Sequence, residues 1–260
     1  MVPTILIAAL LLSGAHAVEN SPPQTKNSAK AIISIPAGTI LPIRLPSLSS
    51  QKNKKGDLIK ARVMQDVPLP NGEKIRAGAI ILGRILDVTP ATPGNQAALI
   101  LTFDTLIDHG KKIPITTSLR ALASPFEIDS AQIPDMGAGE SDVYDWLPTT
   151  QIGGETAYGL GGPVARGDTI VGRVVGDGVL VNVSAKPGTN CRGSLDGNSA
   201  PQALWLFSSD ACGVYGFPHL AVRHAGRSSP LGQIILASDE GPVDIGSGSG
   251  ILLRVLPAAP

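Results

Sequence analysis

Nucleophilic catalysis asks for a serine or cysteine within reach of an imidazole and a carboxylate, so the histidines are the first residues to place. Beyond residue 17 there are three: His109, His219 and His224. His109 falls in a D-H-G-K-K turn, where water is its natural partner. His219 and His224 stand five apart around a short apolar segment, and in a strand that odd spacing sends them to opposite faces. Ser208-Ser209-Asp210, just before Cys212, suits a capped turn as readily as chemistry. Neither a G-x-S-x-G elbow nor an H-E-x-x-H pair is written anywhere. No catalytic residue is assigned, and a hydrolase stands third among the functional expectations.

The other chemistries fare no better. Asp239, Glu240 and Asp244 lack the D-x-[DN]-x-[DN]-G register of a calcium loop, and Asp142 with Asp145 is equally unspecific. Two cysteines without a C-x-x-C fall short of a metal site. The G-L-G-G run at 159–162 has no Lys-Ser/Thr ending and no strand-to-helix setting, so it is not a phosphate loop. The expectation is no metal and no cofactor.

Binding is the remaining chemistry. Trp205, Phe207, Tyr215 and Phe217 crowd into one short stretch, with His219, Arg223 and His224 just after. Such a cluster either offers a stacking surface to a glycan, a peptide or a partner protein, or packs as a small core around a cystine. Lys52, Lys54 and Lys55 sit in the polar run 47–57, as an anion contact toward envelope polymers or as a solvated hairpin tip. Cys191 and Cys212 are the only cysteines, and an even count in an exported chain predicts a disulfide. Closing a loop of about twenty residues contributes on the order of 3 kcal/mol.

The elements that must position these residues are strands. The chain carries 30 Gly and 22 Pro, punctuation suited to short strands and turns. Aromatics are only 3%, so Val, Ile, Leu and Ala must build the core. Twenty-one basic residues balance 21 acidic ones, which removes the broad positive field of a general nucleic-acid binder. Residues 5–12 are an apolar run and Ala15-His16-Ala17 fits small-x-small cleavage, so residues 1–17 are expected to be an export signal. Residues 18–30 are polar and proline-bearing, a tether. No later apolar segment approaches the ~20 residues of a membrane-spanning helix. The mature chain is therefore expected in the periplasm or outside the cell, without a transmembrane anchor.

Two stretches echo each other. I-R-A-G-A-I-I-L-G-R-I-L-D-V at 75–88 aligns without gaps on V-A-R-G-D-T-I-V-G-R-V-V-G-D at 164–177, pairing Gly78 with Gly167, Gly83 with Gly172 and Arg84 with Arg173. Each predicts a glycine turn into a strand whose inner glycine marks a bulge or tight bend. Residues 33–45 predict two strands around a Pro-Ala-Gly turn. In residues 58–67, Ile59, Ala61 and Val63 alternate with Lys60 and Arg62, the period of a half-buried strand. Asn71-Gly72 and His109-Gly110 predict hairpin turns around further strands at 98–106 and 112–119.

The pieces P-A-G-T-I-L-P-I-R-L (36–45), G-D-L-I-K-A-R-V-M-Q-D-V (56–67), A-G-A-I-I-L-G-R-I (77–85) and L-I-L-T-F-D-T-L…G-K-K-I-P-I (99–115), in that order, resemble the C-terminal β-barrel of TrbI/VirB10-type envelope proteins of conjugation and type IV secretion. The resemblance covers about residues 36–115 and implies a barrel fold in the cell envelope. Those proteins carry a helical insertion that reaches the outer membrane, and none of that kind is written between Lys60 and Leu119.

The expected architecture is all-β: two small barrel- or sandwich-like units, at 31–123 and 163–257, joined by a Gly/Pro-rich acidic linker at 124–162. A short helix is expected over 142–147 within that linker. The leading functional expectation is an exported, non-enzymatic structural or protein-interaction module of the envelope. The alternative is a carbohydrate- or peptide-binding domain that uses the aromatic cluster. Expected partners are an envelope protein or polymer, with self-assembly also open; nucleic acid is not among them.

Overall fold

Alternation is plainest where one face meets water. A computed structural model describes residues 34–135, 147–183, 198–223 and 230–257. The export signal, the tether, Cys191, His224 and the helix expected at 142–147, except Leu147, lie outside those residues. The first strands are β1 (Ile40–Arg44), β2 (Leu48–Ser49), β3 (Leu58–Val63), β4 (Val67–Pro68) and β5 (Lys74–Ile75). The long pair β6 (Ile80–Thr89) and β7 (Ala97–Asp108) follows, then β8 (Lys111–Pro114), β9 (Thr117–Ala123) and a one-turn helix, α1 (Pro125–Ser130). In β3 the buried residues are Ile59, Ala61 and Val63, and the outer face is Leu58, Lys60 and Arg62, as the period-two pattern predicts. Gly72 takes φ +81° between the antiparallel β4 and β5. His109 and Gly110 take φ 50° and 75° between β7 and β8, which is the mirror-image turn that matches strand twist.

The later strands are β10 (Pro148–Thr150), β11 (Thr156–Tyr158), β12 (Pro163–Arg166), β13 (Thr169–Val175), β14 (Gly178–Val183) and β15 (Asn198–Trp205). These six form an antiparallel meander in chain order. The last are β16 (Gly213–Tyr215), β17 (Leu220–Arg223), β18 (Ile234–Ser238), β19 (Asp244–Ile245) and β20 (Gly250–Val255). They do not build a second domain. The ten-stranded sheet runs β16-β9-β20-β1-β3-β6-β7-β18-β17, with β8 on β7. Its end strands, β16 and β17, are joined by a short turn, so the sheet is a nearly closed barrel.

The chain is thus all-β, with two large sheets and two two-stranded ones (β2 with β19, β4 with β5) among the described residues, but the sequence boundaries drawn at 123 and 163 are corrected. β20 inserts between β9 and β1, and β18 closes on β7, so the barrel takes strands from both ends of the chain. Ile33–Pro260 make one compact unit. The stretch 124–162 is likewise more than a linker: it holds α1, β10 and β11, the last two being the first two strands of the meander.

Two cores follow from this arrangement. Inside the barrel, Leu41, Ile43, Ile59, Ile81, Leu99, Leu101, Phe103 and Leu253 pack together. Outside it, Ile40, Ala121, Ala123 and Leu252 on the barrel's outer wall meet Val164, Val179, Val181, Leu204 and Phe207 of the meander and the turn after it. β9 is therefore buried along its whole length, both faces included. Burial on both faces accounts for a sequence, S-L-R-A-L-A, that does not alternate.

The two echoing stretches become β5–β6 and β12–β13, in different sheets with the same local design. Gly78 and Gly167 take φ +88° and +55° in the entry turns. A Cβ on Gly83 would overlap the Thr102 carbonyl, and one on Gly172 the Leu180 carbonyl. The register of β6 on β7 shifts between Leu82 and Gly83, the bulge that the inner glycine predicts.

Candidate functional site

The residues that could do chemistry gather in the turn after β15. Residues 151–155 form a tight turn in which the Gln151 N–H donates to the Glu155 carbonyl at 2.7 Å. Ile152 bridges to Phe207, and a Cβ on Gly153 would strike Ser208 Oγ. This contact places the buried Glu155 carboxylate under Ser209. It accepts from the Ser209 N–H at 2.8 Å and from the Ser209 hydroxyl at 2.6 Å. Arg166 of β12 donates to the same carboxylate at 2.8 Å and to Ser209 Oγ at 2.6 Å, and its guanidinium reaches Asp210 at 3.3 Å. Ser208 donates to Asp210 at 2.9 Å. From the barrel side, Arg120 donates to the carbonyls of Ala211 and Ser209 at 3.0 and 2.9 Å. Arg120 is 1% exposed. Burial, with Arg254 nearby, pulls its pKa down to about 10.

This network joins sheet to barrel. Ser209 is 1% exposed, its hydroxyl is spent on Glu155 and Arg166, and no described imidazole hydrogen-bonds to it. His219 instead pairs with Glu240 at 3.1 Å and Asp239 at 3.5 Å, all three side chains at least half exposed. Among the described residues no group of three or more His, Cys, Asp or Glu is placed to hold a metal ion.

The aromatic cluster is not assembled as a surface. Trp205 and Phe207 are 3% and 0% exposed in the outer core, and half-buried Tyr215 packs beside them. Phe217 packs against the barrel core instead. The stacking-surface expectation is corrected for those two rings: a chain so poor in large side chains uses them to fill the space between barrel and meander. Tyr215 Oη accepts from the Cys212 N–H at 3.1 Å, and burial raises its pKa. Arg223 is exposed on β17. Lys52, Lys54 and Lys55 are exposed on a loop whose shape comes from other groups: Asn53 Oδ1 accepts from the Ser49 N–H, and Asp57 accepts from the Lys54 N–H. The Lys54 N–H, and after it the Asn53 side-chain amide, which donates to Asp57 Oδ2 at 3.2 Å, hold the Asp57 pKa below its usual value.

Trp205 itself is held in an unusual backbone state, φ +55°. Its N–H donates to Gln65 Oε1 at 2.7 Å, and Gln65 Nε2 donates to the Val179 carbonyl at 3.2 Å. The Arg44 guanidinium lies 5.4 Å from the ring centroid. So fixed, Trp205 helps wall a cavity of about 390 Å³ together with Gln132, Gln151, Leu160, Val174 and Asp177. A larger depression, about 530 Å³, lies along the 91–97 loop and is walled mainly by turn residues.

Sequence reasoning passed over Gln65, Arg120, Gln151, Glu155, Arg166 and Asp177. Arg120 carried a signal, a charge inside the apolar run of β9. The others stand in turns or, for Arg166, at the end of a short strand, where only the fold gives them partners. Comparison with protein-family models, with curated proteins and with solved structures found no match for this chain.

Proposed function

We propose that this protein is an exported, non-enzymatic module of the cell envelope that works by holding its shape and engaging another protein. The observation that carries this is an exposed apolar rim: Leu160, Ile133 and Tyr158 are 71, 63 and 45% exposed, beside or on the wall of the cavity at Trp205. Large apolar side chains grouped at a cavity mouth mark interaction surfaces. The reactive side chains point the same way, because Glu155, Arg166, Ser209 and Arg120 are consumed as cross-links. The glycan-stacking alternative has lost Trp205 and Phe207 to the core.

The TrbI/VirB10 resemblance belongs to this reading. Its four pieces fall on β1, β3, β6 and β7–β8, which are contiguous in the barrel sheet, and that contiguity supports a common ancestry for the wall. The Cys191–Cys212 bridge belongs to it as well, supported by the absence of a free cysteine among the described residues. No described helix is long and apolar enough to cross a membrane.

A photocrosslinking amino acid at Leu160, introduced into the chain in its native cells, tests the proposal. A discrete protein adduct at Leu160, absent when the same group replaces exposed Lys60 on the barrel wall, is expected. Irradiation that yields no adduct at Leu160, or equal adducts at both positions, would overturn it.

A further inference from the structure

The cavity at Trp205 is chemically one-sided. Its polar groups include Asp177 and Gln151, and no Lys, Arg or His stands among its described lining residues. Asp177, at the tip of the β13–β14 turn, makes no ion pair with any described residue. Gln151 is 3% exposed, and its Nε2 donates to Thr149 Oγ1 at 3.3 Å. Its Oε1 is buried with no hydrogen-bond donor among the described residues. A buried acceptor left unpaired is costly, and native proteins leave few of them. The rest of the wall is apolar and includes Trp205, Val174 and Leu160.

An exposed carboxylate without an ion pair and a buried amide oxygen without a described donor, on residues that wall an otherwise apolar cavity, call for a ligand with a cationic head on an apolar stem. Lysine and arginine side chains have that form, because their methylenes pack on apolar surface while the charged end seeks acceptors. We propose that the cavity receives a lysine or arginine side chain from an apolar segment of the partner protein, with the cation directed to Asp177 and Gln151. The proposal rests on the interaction-module reading and names the chemistry of the partner. Charge complementarity chooses this occupant over an acidic segment, which Asp177 would repel.

The test uses the chain carrying Trp146→Phe, so that Trp205 alone reports. The probes are the capped peptides acetyl-Leu-Arg-Leu-amide and acetyl-Leu-Glu-Leu-amide, followed by indole fluorescence and calorimetry. The arginine peptide should bind saturably, at least tenfold tighter than the glutamate peptide. Asp177→Asn, an exposed substitution with no internal partner to lose, should weaken it about tenfold with an unchanged melting temperature. Equal binding of the two peptides, binding of neither, or an Asp177→Asn variant that binds as tightly as its parent would overturn the proposal. A Leu160 photoadduct in cells that persists in Asp177→Asn would sink only the cationic-anchor idea and leave the interaction module standing.

Discussion

Glu155 shows how residue chemistry became architecture here. Its carboxylate is 1% exposed and gathers the Ser209 N–H, the Ser209 hydroxyl and the Arg166 guanidinium. Removing it leaves a buried N–H and hydroxyl without acceptors, while Arg166, 43% exposed, keeps part of its hydration. Glu155→Ala should therefore destabilise the fold by about 2–3 kcal/mol, read as a lowered midpoint in urea unfolding. A loss under about half a kcal/mol would show that the latch contributes little. Ser208-Ser209-Asp210 was legible in the sequence as a turn, but its side chains bond to one another, to Glu155 and to Arg166. Their partners were not legible, because Glu155 and Arg166 stand 54 and 43 positions away from Ser209.

At the scale of elements, the two echoing strands make a paired prediction. Gly83 and Gly172 each lie where a neighbouring strand's carbonyl passes too close for a Cβ. Alanine at either site must push two strands apart, which costs about 1–3 kcal/mol. Gly94→Ala is the control, with φ +84° but open space around it, and should cost only about 1 kcal/mol. Thermal melts of the three variants separate the two effects, and equal losses would argue against close strand approach as the reason for the inner glycines. Element types were well marked in the sequence, since alternation in β3 and turn glycines act over a few residues. α1 was missed: its only cues are the Ser124 cap and Pro125, in a stretch otherwise composed like a linker.

For the whole molecule the decisive feature is strand order. The sequence reading placed a self-contained unit at 31–123, because its strands and turns look complete in isolation. Pairing between distant strands has no local signature, so nothing in G-I-L-L-R-V announces that β20 belongs between β1 and β9. In the fold, β1 pairs with β20 over five residues but with β3 over only two, and β9 has both of its sheet neighbours, β16 and β20, beyond residue 212. Cut from the rest, 31–123 would expose the unpaired edges of β1, β7 and β9 and the apolar outer wall at Ile40, Ala121 and Ala123.

The most direct test is to prepare residues 31–123 alone and follow urea unfolding by circular dichroism beside the full chain. We predict one cooperative transition for the full chain and none for the fragment. A fragment that unfolds cooperatively from a strand-rich spectrum would contradict the interleaved fold.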